Sequence, residues 1–230
     1  MLMTILTIIG FLLLIGLLFW WLLRKDAKRA AALGSFAESR GLTFTEIIDP
    51  ATIHEKFRPL PVFEKGNSHI ASNLLRGKVD DFEIWVCDYI YWDHVKQVHA
   101  DQEIHVSSSQ KQRQTLICRL LDQINVPAFD ISLKVGMGNL SAYGKKDVIE
   151  FEGDSVFSKK YNVCAAPRSD KSAVRDLIND ELASIFSNHN RLRLEVGGNK
   201  MVLTNYSTNI KPSELEGYIK TILRIGNSFR

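Results

Sequence analysis

Apolar and polar positions divide the chain into an unbroken apolar opening and a long patterned remainder. From Met1 to Leu23 the only polar side chains are Thr4 and Thr7, and Arg24, Lys25, Lys28 and Arg29 follow at once. A helix rises about 1.5 Å per residue, so roughly 20 apolar residues cross the hydrocarbon of a bilayer; residues 1–23 are therefore expected to form a transmembrane helix. A cleaved signal peptide would carry positive charge ahead of the apolar run and a small-x-small site behind it. Neither is present. From Asp26 to Ser39 the period is helical, with Ala30, Leu33, Phe36 and Ala37 on one side and Gly41 as the stop, so residues 24–40 are expected to be a juxtamembrane helix that continues the span.

Residues 41–230 read as one α+β domain, a mainly antiparallel sheet with interspersed helices, with a sub-boundary expected near 145–155. Asp49-Pro50 starts a short helix that brings Ile53 and Phe57 together. "FRPLPVF" reads as extended, because Pro59 and Pro61 restrict the residues before and at their positions. His69–Lys78 and Phe82–Trp92 read as a hairpin about Val79-Asp80-Asp81, and Thr115–Leu121 as a further strand. Phe129, Ile131, Leu133 and Val135 alternate with Asp130, Ser132 and Lys134, the pattern of a half-buried strand. Val148–Phe151 and Phe157–Ala165 read as strands.

Val174, Leu177, Ile178, Leu182, Ile185 and Phe186 recur at helical spacing behind a Ser169 or Asp170 cap. Leu192, Leu194 and Val196 alternate with Arg193 and Glu195, which places those two charges on the outer face. Gly197-Gly198-Asn199 turns the chain into the partner strand Lys200–Tyr206. A final helix begins near Pro212-Ser213 with a Ser213/Glu216 capping box, and Gly226 ends it.

Charge adds a compartment to this picture. The basic residues follow the apolar run rather than precede it, so the positive-inside rule puts the amino terminus outside and the domain in the cytoplasm, at the inner (cytoplasmic) membrane. Trp20 and Trp21 fall where an interfacial aromatic belt is expected, and with Arg24, Lys25, Lys28 and Arg29 they form the expected membrane interface. Three widely spaced cysteines, Cys87, Cys118 and Cys164, suit a reducing compartment and read as small core residues. The whole chain carries 29 Lys+Arg against 26 Asp+Glu, too balanced for a nucleic-acid partner.

The densest candidate chemistry is "YWDHVKQVHADQEIH", where Asp93, His94 and His99 are the candidate catalytic residues and Asp101 and His105 lie close by. Histidine and carboxylate are metal ligands and general bases. His94 and His99 are an odd number apart, so on one strand they face opposite sides, and no His-Glu-x-x-His accompanies them. A solvated hairpin tip accounts for the same residues. "GMGNLSAYG" (136–144) has the glycines of a phosphate loop but no helix after it to hold a phosphate, so it reads as a connection. No cofactor or metal is expected.

The strings "LLRG" (Leu74–Gly77), "DYIY" (Asp88–Tyr91), "VPAFDI" (Val126–Ile131), "DVIEF" (Asp147–Phe151), "FSKKY" (Phe157–Tyr161), "AVRDL" (Ala173–Leu177) and "LEVGGNKMVL" (Leu194–Leu203) carry a resemblance. The chain resembles an uncharacterised family of bacterial single-span membrane proteins with a cytosolic α+β domain of unassigned activity. The stretch 94–109 departs from the glycine-bearing turn of that pattern. The resemblance implies architecture and location and transfers no catalytic residue. The function expected is a membrane-anchored cytosolic interaction or scaffolding module, touching the lipid bilayer through its N-terminal helix and an unidentified protein partner. The alternative is a membrane-tethered hydrolase or metal-dependent enzyme using Asp93, His94 and His99.

Overall fold

In the computed structural model, which describes residues 2–96, 107–121, 124–135, 138–139, 143, 147–151, 155–206 and 208–229, one long helix opens the chain, α1 (Leu2–Ser39). Its last turns follow the pattern: Ala30, Leu33 and Ala37 are buried, and Gly41 at φ 65° turns the chain away. Its first half does not meet the expectation. Among the described residues no helix is long and apolar enough to cross a membrane. The transmembrane helix over residues 1–23 and the single-pass arrangement are corrected on that finding.

The α+β class and the antiparallel pairing hold. The strands are β1 (Thr43–Ile48), β2 (Asn67–Val79), β3 (Phe82–Lys96), β4 (Ser107–Leu120), β5 (Val126–Val135), β6 (Gly138–Asn139), β7 (Val148–Ile149), β8 (Tyr161–Ala165), β9 (Leu192–Gly198) and β10 (Lys200–Asn205). Among the described residues they form one ten-stranded sheet in the order β1-β2-β3-β4-β10-β9-β5-β8-β7, with β6 paired to β5. Strands from both sides of residues 145–155 enter it. The β2–β3 turn is a two-residue one, Asp80 and Asp81 at φ 49° and 68°, the backbone twist that suits a tight hairpin.

Both faces of the sheet are covered. On one, Leu75, Ile117, Ile131, Leu194 and Leu203 meet α1, α4 (Lys171–Leu177), α5 (Asp180–Ser187) and α6 (Leu215–Asn227) in a single apolar core. On the other, Trp85, Cys87, Leu116, Cys118 and Val202 meet α2 (Pro50–Phe57) and the 3-10 turn Pro61–Phe63. Double cover changes the outward positions. Asp130 (0%), Ser132 (1%), Arg193 (6%) and Glu195 (1%) are buried rather than solvated, so β5 is not half-buried and β9 has no outer face in water.

Five local expectations are revised. "FRPLPVF" is not extended throughout: Arg58–Pro59 is a cis peptide and Pro61–Phe63 is helical. Phe157 belongs to α3 (Val156–Lys160), one helical turn before Tyr161, and the two rings stack at 5.8 Å. The Val174–Phe186 helix is two helices, because Asn179 turns out of the first and caps the second by accepting from the Leu182 N–H at 2.9 Å. The Ser213/Glu216 capping box is absent; Pro212–Glu214 is a 3-10 turn and Glu216 pairs with Arg40 and Lys220. Gly226 does not stop α6 but lies inside its last turn.

Candidate functional site

Beside its apolar stripe, a polar group also holds α1 to the sheet. Asp88, in the middle of β3, is 5% exposed, and a buried carboxylate is costly unless it is paired. Arg29 of α1 supplies the partner: Nε and Nη2 donate to Oδ2 and Oδ1, each at 2.6 Å, a two-toothed geometry that lysine cannot copy. Asn73 Nδ2 donates to Oδ2 at 2.9 Å. It reaches there because β2 shifts register between Ser72 and Leu75, with Asn73 at φ 53°. Thr115 Oγ1 donates to Asp88 Oδ1 at 2.9 Å and accepts from the Ile210 N–H at 3.0 Å, while Arg29 Nη1 donates to Ile210 O at 2.8 Å. Five segments thus meet at one carboxylate.

Two adjoining clefts open beside this hub and share Asp26, Arg29, Arg113 and Asn209 in their walls. The larger, about 450 Å³, adds Lys25 and Lys211. The other, about 310 Å³, runs along the hub toward Glu46 and Ser72. Arg113 faces Asp26 at 3.7 Å, and Asn209 Oδ1 is buried with no hydrogen-bond partner among the described residues. Just before the clefts along α1, Arg24 lies 4.8 Å from the Trp20 ring centroid and Lys25 lies 5.6 Å from that of Trp21.

The expected interface residues therefore separate. Trp20, Trp21, Arg24, Lys25 and Lys28 are exposed on α1, whereas Arg29 is committed to Asp88. Asp93 and His94 lie on β3, in register with Gln110 and Ser109 of β4; their side chains lie outside the described residues, as do His99, Asp101 and His105. The loop 136–144 also lies outside them except for 138, 139 and Tyr143. Among the described residues no group of three or more His, Cys, Asp or Glu could hold a metal ion. Cys87, Cys118 and Cys164 are buried and none is disulfide-bonded. Burial pushes the Cys87 and Cys118 thiols well up.

Two polar arrangements were not anticipated. His54 of α2 and His69 of β2 share the fully buried Tyr89 hydroxyl, at 2.6 Å from Nε2 and 2.7 Å from Nδ1. Burial holds both imidazoles below their usual value, and for His54 the His69 charge adds to it. On β9, Arg193 and Glu195 form a buried ion pair at 2.7 Å. The first has no sequence signal, since its members are 15 to 35 residues apart and lie on three elements. For the second, the signal was a charge pair inside a strand with apolar residues on every other position.

No family model matches the chain, and no curated protein matches it. Among solved structures it is similar to the crystal structure of the mycobacterial trehalose monomycolate transport factor A, TtfA, with a TM-score of 0.61 over 88% of this chain and 94% of that chain at 11% identity. At that identity the likeness is one of fold.

Proposed function

We propose that this chain is an interaction module that works at a lipid surface, on the cytoplasmic side, as an accessory in transport. The observation that carries the proposal is the apolar part of α1: Phe11, Leu12, Leu13, Leu14 and Leu17 are each 61–65% exposed, and none belongs to either core. Contiguous apolar surface of this kind marks a membrane or protein contact. Tryptophans beside cations at its polar end suit the interfacial layer. The fold shared with a protein named as a transport factor supports the choice of transport, and the three cysteines outside disulfides support the reducing side.

The test is partition of the full chain onto phosphatidylcholine vesicles. Burying a leucine side chain contributes about 1.5–3 kcal/mol, so Leu13→Asp/Leu17→Asp is expected to lower the partition coefficient about a hundredfold or more. A parent chain that stays in the supernatant, or a variant that partitions like the parent, overturns the proposal.

A further inference from the structure

We propose that the cleft beside Arg29 binds the phosphate of an anionic, hydroxyl-bearing lipid headgroup, an inference that rests on the surface-bound reading above. Lys25, Arg113 and Lys211 converge on the larger cleft from α1, β4 and the segment before α6, against one carboxylate in its wall, Asp26. Asp88 adds no repulsion for an anion, because Arg29 neutralises it; of the outer cations, Arg113 lies 3.7 Å from Asp26 and Lys211 lies 3.3 Å from Glu214, exposed and therefore weak pairs from which a phosphate can recruit both. Phosphate oxygens accept such donors in short, charge-assisted bonds.

The Asn209 amide stands in the wall of the same cleft. Its Oδ1 is buried in the same wall without a partner among the described residues, and an orphaned buried acceptor is costly. A hydroxyl beside the phosphate, as on a glycerol headgroup, would satisfy it. Position adds to this. Lys25 lies one helical turn past Trp21 on α1, so the cleft adjoins the polar end of the exposed apolar stretch, where Arg24 and Lys25 stand beside the Trp20 and Trp21 rings. A helix whose apolar side rests on lipid therefore brings the cleft beside the headgroups.

The experiment compares partition of the full chain onto phosphatidylcholine vesicles with and without phosphatidylglycerol. The parent is expected to bind both and to prefer the second. Arg113→Gln/Lys211→Gln is expected to lower that preference by about tenfold or more, and Asn209→Leu by about threefold or more, with binding to neutral vesicles unchanged. The charge-matched pair Arg24→Gln/Lys28→Gln lies on exposed α1 outside the cleft walls and should lose less than the first pair. An α1 pair that loses as much or more means diffuse attraction and overturns the cleft. So does a parent that binds neutral vesicles without preferring phosphatidylglycerol, which leaves the surface-bound reading intact. A parent that binds no vesicles overturns both. Glycerol 1-phosphate that raises the melting temperature without any vesicle preference assigns the cleft to a free phosphate ester and overturns the lipid source.

Discussion

Glu195→Gln tests whether the polar positions of β9 hold the fold from inside. Glu195 is 1% exposed; Oε2 accepts the Val62 N–H at 2.7 Å, and Oε1 lies 2.7 Å from Arg193 Nη2. The Arg193–Glu195 contact is one of charge more than of hydrogen bonding, since Nη2 and Oε1 both lack a well-angled partner among the described residues. Desolvation works against the Arg193 charge, and Glu195 first and Asp130 next outweigh it, so the guanidinium stays charged. Glutamine keeps the shape and an oxygen for Val62, and removes only the charge. Breaking one side of a buried pair costs about 3–5 kcal/mol. Asp130, directly opposite Glu195 on β5, still compensates part of the Arg193 charge, so the lower end, about 3 kcal/mol, is expected. Against a total stability of about 5–15 kcal/mol the variant folds, but weakly.

The assay is urea unfolding of the full chain, with far-ultraviolet circular dichroism and tryptophan fluorescence required to coincide. With m near 2 kcal/mol/M, the midpoint should fall by about 1–2 M. Glu195→Lys, which adds a second buried cation and removes the Val62 acceptor, should not fold. Exposed Glu55→Gln is the control. If the Glu195→Gln midpoint moves by less than about 0.3 M, no more than that control, the pair does not hold the second layer to the sheet and the reasoning fails.

Two further outcomes follow from the packing. A Cβ at residue 226 would lie 2.6 Å from Arg119 Cζ, and Arg119 cannot swing aside: it is 1% exposed, lies 3.8 Å from the Phe82 ring centroid and donates to Leu223 O at 2.5 Å and Asn227 Oδ1 at 2.9 Å. Gly226→Ala should cost about 1–3 kcal/mol, and the double variant with Arg119→Met less than the sum of the singles; additive costs in a double-mutant cycle would sink the idea. The His54–Tyr89–His69 triad bears on pH. Both histidines are held below their unfolded value near 6.5, so the unfolded chain binds more protons in acid; the stabilisation is complete above about 6.5 and is lost as pH falls. The melting temperature should drop between pH 7 and pH 5, and drop less in His54→Gln/His69→Gln; equal slopes would refute the assignment.

The C-terminal unit shows what alternation does and does not reveal. Leu182, Leu194, Leu203, Ile219 and Ile222 are buried together as their periods predict. The same period placed Arg193 and Glu195 in water, and there it misled. Alternation reports that the two faces of a strand differ, not that one of them is solvated. The second layer comes from residues 50–63, more than a hundred positions earlier, and "PLPVF" read alone as an extended connection. A long helix over 174–186 failed for a local reason: apolar spacing survives a break when Asn179 re-caps the chain one turn later. The apolar opening was read as a span from its length, its lack of polar side chains and the charges that follow it, yet among the described residues no helix is long and apolar enough to cross a membrane.

At the hub the sequence held two anomalies whose connection was hidden. Asp88 is a lone carboxylate inside "WVCDYIYW", and Arg29 begins the stripe Arg29, Leu33, Ala37 that otherwise faces the core. A carboxylate in an apolar strand requires a buried cation, and a cation on a helix's buried stripe requires a buried anion. Each anomaly is therefore the other's explanation, but 59 residues separate them and no periodicity spans that distance. Counting Arg29 among four interfacial cations concealed it. The same stripe explains the cleft: Lys25 precedes Arg29 by one helical turn, on the same side, and so stands beside Asp88's guanidinium partner at the point where α1 leaves the sheet. The helix that must dock through Arg29 cannot avoid presenting Lys25 next to it, which is why a structural ion pair and a candidate anion site occur together.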